Sequence, residues 1–407
     1  MQYKLVYNSN YNNKKLVIKF NEIVMILLIF GIYALNRTSS VENREYGWLI
    51  IVGLTIGVSI LHIIKNKGPY LGFYFFFQLL FLGISFISRY WAYSYKLSVA
   101  GFNSLVLTAV IIFSLMNIVD SIDNFISFIK ALAWAGIFMI IYFIIKNGFI
   151  YMINIRAASQ SGLIKDINAN DIGMKCVISA ISAYVYGLSN KRKKKKYNLL
   201  AIILVIFSLF TGSRKVIVML GFCFSLLYVF EKKANKMLRF IIVAIGISFA
   251  LYIIINTPFL YDIIGVRLQE TLTLFEQNSL DPYSSTGIRL RMISLGIDLF
   301  KNKPMLGYGL ANAELFNDGT YLHNNYLELM VGIGLVGMIA YYINPLLSIY
   351  RNRKLFKSCS DIYSLFFLLI LVCFLILDYT LVSYNSREFQ IIIAIASRYY
   401  VIKKNYV

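Results

Sequence analysis

Charged side chains are scarce. Asp, Glu, Lys and Arg make up 14% of the 407 residues, against about 25% in an average soluble domain, while 59% are apolar. That balance excludes a soluble globule. Acids are the scarcer sign, 19 against 40 bases, for a formal charge of +21. In a soluble protein such an excess would point to nucleic acid. Here most Lys and Arg sit between apolar runs, where they read as topology determinants, so no nucleic-acid partner is expected. The four cysteines, Cys176, Cys223, Cys359 and Cys373, show no CxxC or paired spacing, which argues against a disulfide framework or a zinc site. Only two histidines are present, His62 and His323, and with scattered carboxylates they form no metal-ligand cluster. Proline (5) and tryptophan (3) are also few.

What is abundant is long apolar sequence. Runs able to cross hydrocarbon fall near 20–35, 48–64, 70–87, 97–119, 125–145, 172–188, 198–211, 216–230, 240–256, 326–344, 362–377 and 389–402. The expected fold is therefore all-α: a polytopic membrane bundle of about 12 transmembrane helices, forming one integral membrane domain over residues 1–407. No small-residue cleavage site follows the first run, so it reads as an uncleaved span. With the N-terminus inside, inner segments carry 22 Lys+Arg and the short outer segments 10. The positive-inside rule then puts both termini in the cytoplasm. Residues 257–324 form the one long loop, placed outside the membrane, where function tends to concentrate.

Lys191 to Lys196 (KRKKKK) and Glu231 to Arg239 (EKKANKMLR) are the strongest inner anchors. The first reads as a topology anchor and lipid-facing basic patch. Between the two anchors the chain must go out and return as two short helices, each about 15 residues or roughly 22 Å, joined at Thr211-Gly212-Ser213-Arg214-Lys215. An arginine at such a tip needs an anionic partner or a water-filled cavity, which marks Arg214 as a functional candidate. The alternative is snorkelling to the outer headgroups.

In the long loop, Gly287 to Lys303 repeats Ile288, Met292, Leu295 and Leu299 at helical period and is ended by Pro304, so an amphipathic helix near the membrane surface is expected. Arg289 and Arg291 lie about 200° apart on it, so they cannot both face one site. His323 opens the next span at its outer end, where a neutral imidazole could take a proton from a hydroxyl; packing or capping at a helix start is the alternative. Glu328, i,i+4 from Asn324, either hydrogen-bonds that side chain or pairs with an arginine, for ligand orientation or for helix packing. His62 reads as a satisfied core histidine. Gly332-Ile-Gly334-Leu-Val-Gly337 matches GxGxxG, but it lies in an apolar span without a preceding strand, so close approach of two membrane helices is the better reading.

The second half resembles bacterial O-antigen and capsule polysaccharide polymerases of the Wzy type and the O-antigen ligases. Three blocks carry the resemblance: Thr211-Gly212-Ser213-Arg214; Gly287-Ile-Arg289 through Gly296 to Pro304-Met-Leu-Gly307-Tyr-Gly309; and His323-Asn324-Asn325-Tyr326-Leu327 followed by Gly332 to Gly337. A weaker block is Ser161-Gly162 with Asn170-Asp171-Ile172-Gly173. Counting back from Pro304 favours Arg289 over Arg291 as the family's loop arginine.

The resemblance implies a multi-pass enzyme of the bacterial cytoplasmic membrane, a metal-independent glycosyltransferase of the GT-C-like type that uses no cofactor. Its substrate would be an undecaprenyl-pyrophosphate-linked oligosaccharide, with membrane lipid around it and a chain-length regulator and a flippase of the same pathway as partners. Arg214 and Arg289 would hold the pyrophosphate leaving group, and His323 would act as base on the acceptor hydroxyl. Arg291, Asn324, Glu328, Arg156 and Asn170 are the candidate substrate contacts. The product would be capsule, O-antigen or exopolysaccharide. The alternatives are a ligase moving a lipid-linked glycan to another acceptor, and a lipid-linked oligosaccharide flippase; the latter should show paired halves, which this sequence does not.

Overall fold

Inside a bilayer the backbone must satisfy its own hydrogen bonds, which leaves helices or a closed barrel. The computed structural model is helical, with no strand among the described residues. It describes residues 2–35, 46–153, 155–161, 168–231, 235–258, 261–266, 269 and 285–405. In chain order the main helices are α1 (Gln2–Phe30), α2 (Tyr46–Lys65), α3 (Phe73–Ile87), α4 (Tyr95–Ile118), α5 (Ile122–Asn147), α6 (Ala169–Ser189) and α7 (Lys194–Leu209). They continue with α8 (Arg214–Phe230), α9 (Lys236–Asn256), α10 (Ser285–Asn302), α11 (Asn325–Cys359), α12 (Ile362–Leu377) and α13 (Arg387–Lys404).

Helix starts follow capping chemistry. The Ser121 hydroxyl accepts the Asn124 amide ahead of α5, Asn168 accepts the Asn170 amide ahead of α6, and Asp361 accepts the Ser364 amide at 2.8 Å ahead of α12. Each apolar run noted above lies wholly or mostly in a helix. Eight described helices are long and apolar enough to cross a membrane, and α12 is a shorter apolar one. The expected hairpin is present as α7, of 16 residues, and α8, of 17. Each reaches about 25 Å, less than the roughly 30 Å hydrocarbon core, which is why they fall below the length of a full span. The expected amphipathic helix is α10, while residues 270–284 of the long loop lie outside the described residues.

The chain divides into two compact units. The first comprises Met1–Pro69, Ser114–Leu268 and Ile402–Val407. In it α1 packs on α5, α5 on α6, and α6 on α7 and α8. Lipid tails are as apolar as leucine, so close packing and polar contacts hold such helices together. Gly136 is an example: a Cβ there would lie 2.5 Å from the Ser179 side chain and 2.9 Å from Leu204. His62 is buried, 3.0 Å from Asn21 Nδ2 and 3.0 Å from Asp120 Oδ2, as a core histidine should be. α9 buries no residue, as suits a helix surrounded by acyl chains.

The second unit comprises Tyr70–Phe113 and Gln269–Val401. Its centre is α11, against which α3, α10 and α12 pack. Buried amides add directional contacts: Asn344 Nδ2 donates to the Tyr74 carbonyl at 3.2 Å, and Asn352 Nδ2 to the Ala396 carbonyl at 3.2 Å. α11 breaks at Ile333 (φ −125°) and Gly334 (φ 69°).

That break corrects the expectation for the GxGxxG stretch. What approaches Gly332 and Gly334 is the loop after α10, not a second helix. The Tyr308 amide donates to the Val331 carbonyl at 2.8 Å, Gly309 to Gly332 at 2.7 Å, and Leu335 to Pro304 at 2.9 Å. Gly334 has the left-handed φ, and a Cβ there would run into the Met305 carbonyl. Two glycine-rich segments thus pair backbone to backbone, which supplies partners for the carbonyls that the kink releases.

Candidate active site

In the second unit the site begins at the start of α11. Asn324 is the N-cap: its Oδ1 accepts the Leu327 amide at 3.1 Å. Glu328 is buried. Its amide donates to the Asn324 carbonyl at 2.9 Å, and its carboxylate accepts the Leu322 amide at 2.9 Å rather than the Asn324 side chain. His323, between these two anchored residues, has a left-handed φ of 55°. That conformation costs a non-glycine residue about 1–2 kcal/mol. The cap and the Glu328 bond together contribute about 2 kcal/mol, enough to hold it. His323 is half-buried, and its ring centroid lies 4.2 Å from that of Tyr321.

Asn325 is fully buried and spends its polar groups internally. Its Nδ2 donates to Tyr342 OH at 2.8 Å and to Asp378 Oδ2 at 3.3 Å, and its Oδ1 accepts the Ser383 and Tyr384 amides, each at 2.9 Å. Tyr342 OH donates to Asp378 Oδ2 at 2.7 Å. Burial pushes the Asp378 carboxyl up to about 6, in spite of the hydrogen bonds from Ser383, Tyr342 and Asn325 that favour its charge. Tyr326 OH donates to the Leu375 carbonyl at 2.7 Å.

The loop arginines separate as their spacing requires. Arg289 is half-buried and Arg291 is exposed. A Cβ on Gly296 would lie 3.2 Å from both Leu322 Cδ1 and Leu327 Cδ1, so this face of α10 seats on the two leucines that flank His323. Arg289 is i−7 from Gly296, on that same face and about 10 Å further toward the start of the helix. Arg291 is turned about 140° away from it.

In the first unit, Arg214 opens α8 and is half-buried, while Thr211, Gly212 and Ser213 before it are buried. Gly212 takes a left-handed φ of 56° to make the turn. Asn170 and Gly173 share one face of α6. A Cβ on Gly173 would lie 2.6 Å from Thr211 Oγ1 and 2.5 Å from Val216, so the Asn170–Gly173 block and the Ser213–Arg214 block are neighbours. Arg156 lies in the short helix Ile155–Gln160; its side chain and Gly162 lie outside the described residues.

Sequence reasoning missed the polar frame behind the site. Asn312 is fully buried; its Nδ2 donates to Ser98 Oγ and to the Leu310 carbonyl, each at 2.9 Å, and its Oδ1 accepts the Ser94 amide. Asp378 is the only acid between Asp361 and Glu388. An isolated acid at the end of an apolar run is the one signal that could have drawn attention to this network. No group of three or more metal-ligating side chains occurs among the described residues.

The chain is an all-helical, multi-pass membrane protein whose second unit holds a half-buried histidine at a helix start. Residues 199–342 match the family model described as O-antigen ligase. That stretch runs from α7 through the Ser213–Arg214 turn and α10 to α11 beyond its kink. It carries all three blocks of the sequence resemblance. No curated protein matches the chain.

Proposed function

We propose that the protein is a polysaccharide polymerase that joins undecaprenyl-pyrophosphate-linked repeat units on the outer face of the cytoplasmic membrane. The observation that carries this reading is the seating of the Arg289 face of α10 on Leu322 and Leu327, either side of His323. His323 takes the proton of an acceptor sugar hydroxyl as its oxygen attacks the anomeric carbon of the donor. The bond from that carbon to the pyrophosphate oxygen breaks, and the pyrophosphate-lipid leaves with the electron pair. Its growing charge needs fixed, always-ionised, planar donors, and Arg289 is suited to this. The resemblance gives Arg214 the same anion-holding task. His323 then returns its proton to solvent. One displacement inverts the anomeric carbon.

Glu328 and Asn324 serve in this reading as positioning residues for His323. Arg291, Asn170 and Arg156 are left as outlying substrate contacts. The test is His323→Ala in cells: single lipid-linked repeat units accumulate and long polymer disappears. Polymer of normal amount would remove the reading. A ligase is the second reading, favoured by the description of the matched family. It predicts that preformed polymer builds up on lipid when His323 is lost, rather than single units.

A further inference from the structure

Tyr93 is 62% exposed, yet it stands on a fixed frame. Its amide donates to the Tyr308 carbonyl at 3.1 Å, and the neighbouring Trp91 indole N–H donates to the Leu306 carbonyl at 3.0 Å. Asn312 holds the Ser94 amide beside it. The Tyr93 ring meets Tyr308 at 5.2 Å and Phe316 at 5.4 Å between centroids, with interplanar angles of 61° and 64°. Neither neighbour lies flat on it. Lys303 Nζ sits 4.7 Å from the Tyr93 centroid and 4.8 Å from that of Tyr308.

Exposed tyrosines at the end of a membrane helix ordinarily belong to the interfacial aromatic belt. A belt residue needs only the right depth, not two aromatic supports, a hydrogen-bonded backbone and a cation. Tyr308 and Phe316 also pack in one cluster with Leu322, the residue before His323. The exposed ring is therefore continuous with the packed unit that carries the candidate base.

We propose that Tyr93, Tyr308, Phe316 and Lys303 form a carbohydrate subsite that holds the acceptor glycan. This rests on the polymerase reading above. A pyranose presents a face of C–H groups with partial positive charge, which complements the negative face of an aromatic ring. The Lys303 ammonium brings three hydrogen-bond donors for sugar hydroxyl or carboxylate oxygens. Because the frame is already ordered, little freedom is lost when a sugar settles on it. A grip on the growing chain governs how many units are added before release, so the subsite sets polymer length and leaves the bond-forming step to His323.

The test uses cells carrying the full-length chain as their sole copy, with polymer resolved by gel and membrane levels checked by immunoblot. Tyr93→Ala should shorten the modal chain length by about two- to tenfold, the size of one lost aromatic contact, while two-repeat product persists. Tyr93→Phe should keep the length. Lys303→Gln, at an exposed position that does not threaten folding, should shorten it as well. Tyr90→Ala removes a ring that is 72% exposed and packs on Phe86 outside the trio, and should leave length unchanged. Equal shortening from Tyr90→Ala and Tyr93→Ala would show a membrane-belt role and overturn the subsite. Normal length from both Tyr93→Ala and Lys303→Gln would overturn it too. His323→Ala, run alongside, separates the two ideas. Normal polymer there defeats the polymerase reading itself, whereas its loss together with normal polymer from both Tyr93→Ala and Lys303→Gln defeats the subsite alone.

Discussion

The Glu328 carboxylate accepts the Leu322 amide at 2.9 Å, closing a loop of backbone around His323. Residues 322 and 324 are thereby fixed from the same helix, and the histidine between them takes a left-handed course at φ 55°. Strained residues held by their surroundings cluster at functional sites.

The latch gives the first prediction. Glu328→Gln keeps an acceptor for the Leu322 amide and should retain most activity. Glu328→Ala leaves that buried amide without a partner, a loss of about 1–3 kcal/mol, and should loosen the turn. Hydrogen exchange at Leu322 to Leu327 would rise in the alanine variant only. Equal exchange in both would show that the carboxylate does not hold the turn.

Arg289→Ala should reduce polymer synthesis by about 10²–10³-fold, the range seen when one donor to a developing anion is removed. Arg289→Lys should recover part of this, since lysine keeps the charge but not the planar fork. Arg291→Ala should stay within a few-fold of wild type. Polymer yields per unit of membrane protein decide the matter, and equal losses from both alanine variants would contradict the orientation of α10.

The glycine pairing is tested by contrast. Gly334→Ala forces a side chain onto the Met305 backbone at a left-handed φ and should lower the melting temperature of the detergent-solubilised protein markedly. A Cβ on Gly332 would meet nothing closer than 3.4 Å, so Gly332→Ala should be near neutral. The two melting curves should therefore separate.

Asp378 makes stability depend on pH. Its carboxyl is raised by burial from an ordinary value of 3.8 to about 6, so between those values the folded protein binds more proton than the unfolded chain. Stability should fall as pH rises from about 4 to 6 and then level off. Asp378→Asn, which has no proton to lose, should show a flatter profile over the same window in thermal unfolding.

Most of the secondary structure was legible in the sequence, because a membrane helix needs a long apolar run and nothing hides it. The α7–α8 hairpin followed from two basic anchors with one polar break between them. The orientation of Arg289 against Arg291 followed from helical geometry alone. What stayed hidden depends on pairing across distance. Asn325 meets Asp378 from 53 residues away and Asn312 meets Ser98 from 214, and although Asp378 stands out as an isolated acid, no local pattern names the partner in either pair. The Gly332–Gly337 stretch misled for a related reason: small residues permit close approach equally by a helix or by a loop, and only the fold determines which comes near.

The proposed mechanism depends most on His323 taking a proton during glycosyl transfer. The most direct measurement is the rate of transfer by purified protein supplied with the lipid-linked repeat unit, wild type beside His323→Gln. Glutamine can still hydrogen-bond to the acceptor but cannot take up its proton effectively, so the rate should fall by about 10²–10⁴-fold. A rate near that of wild type would contradict the claim and leave His323 a residue that only orients the acceptor.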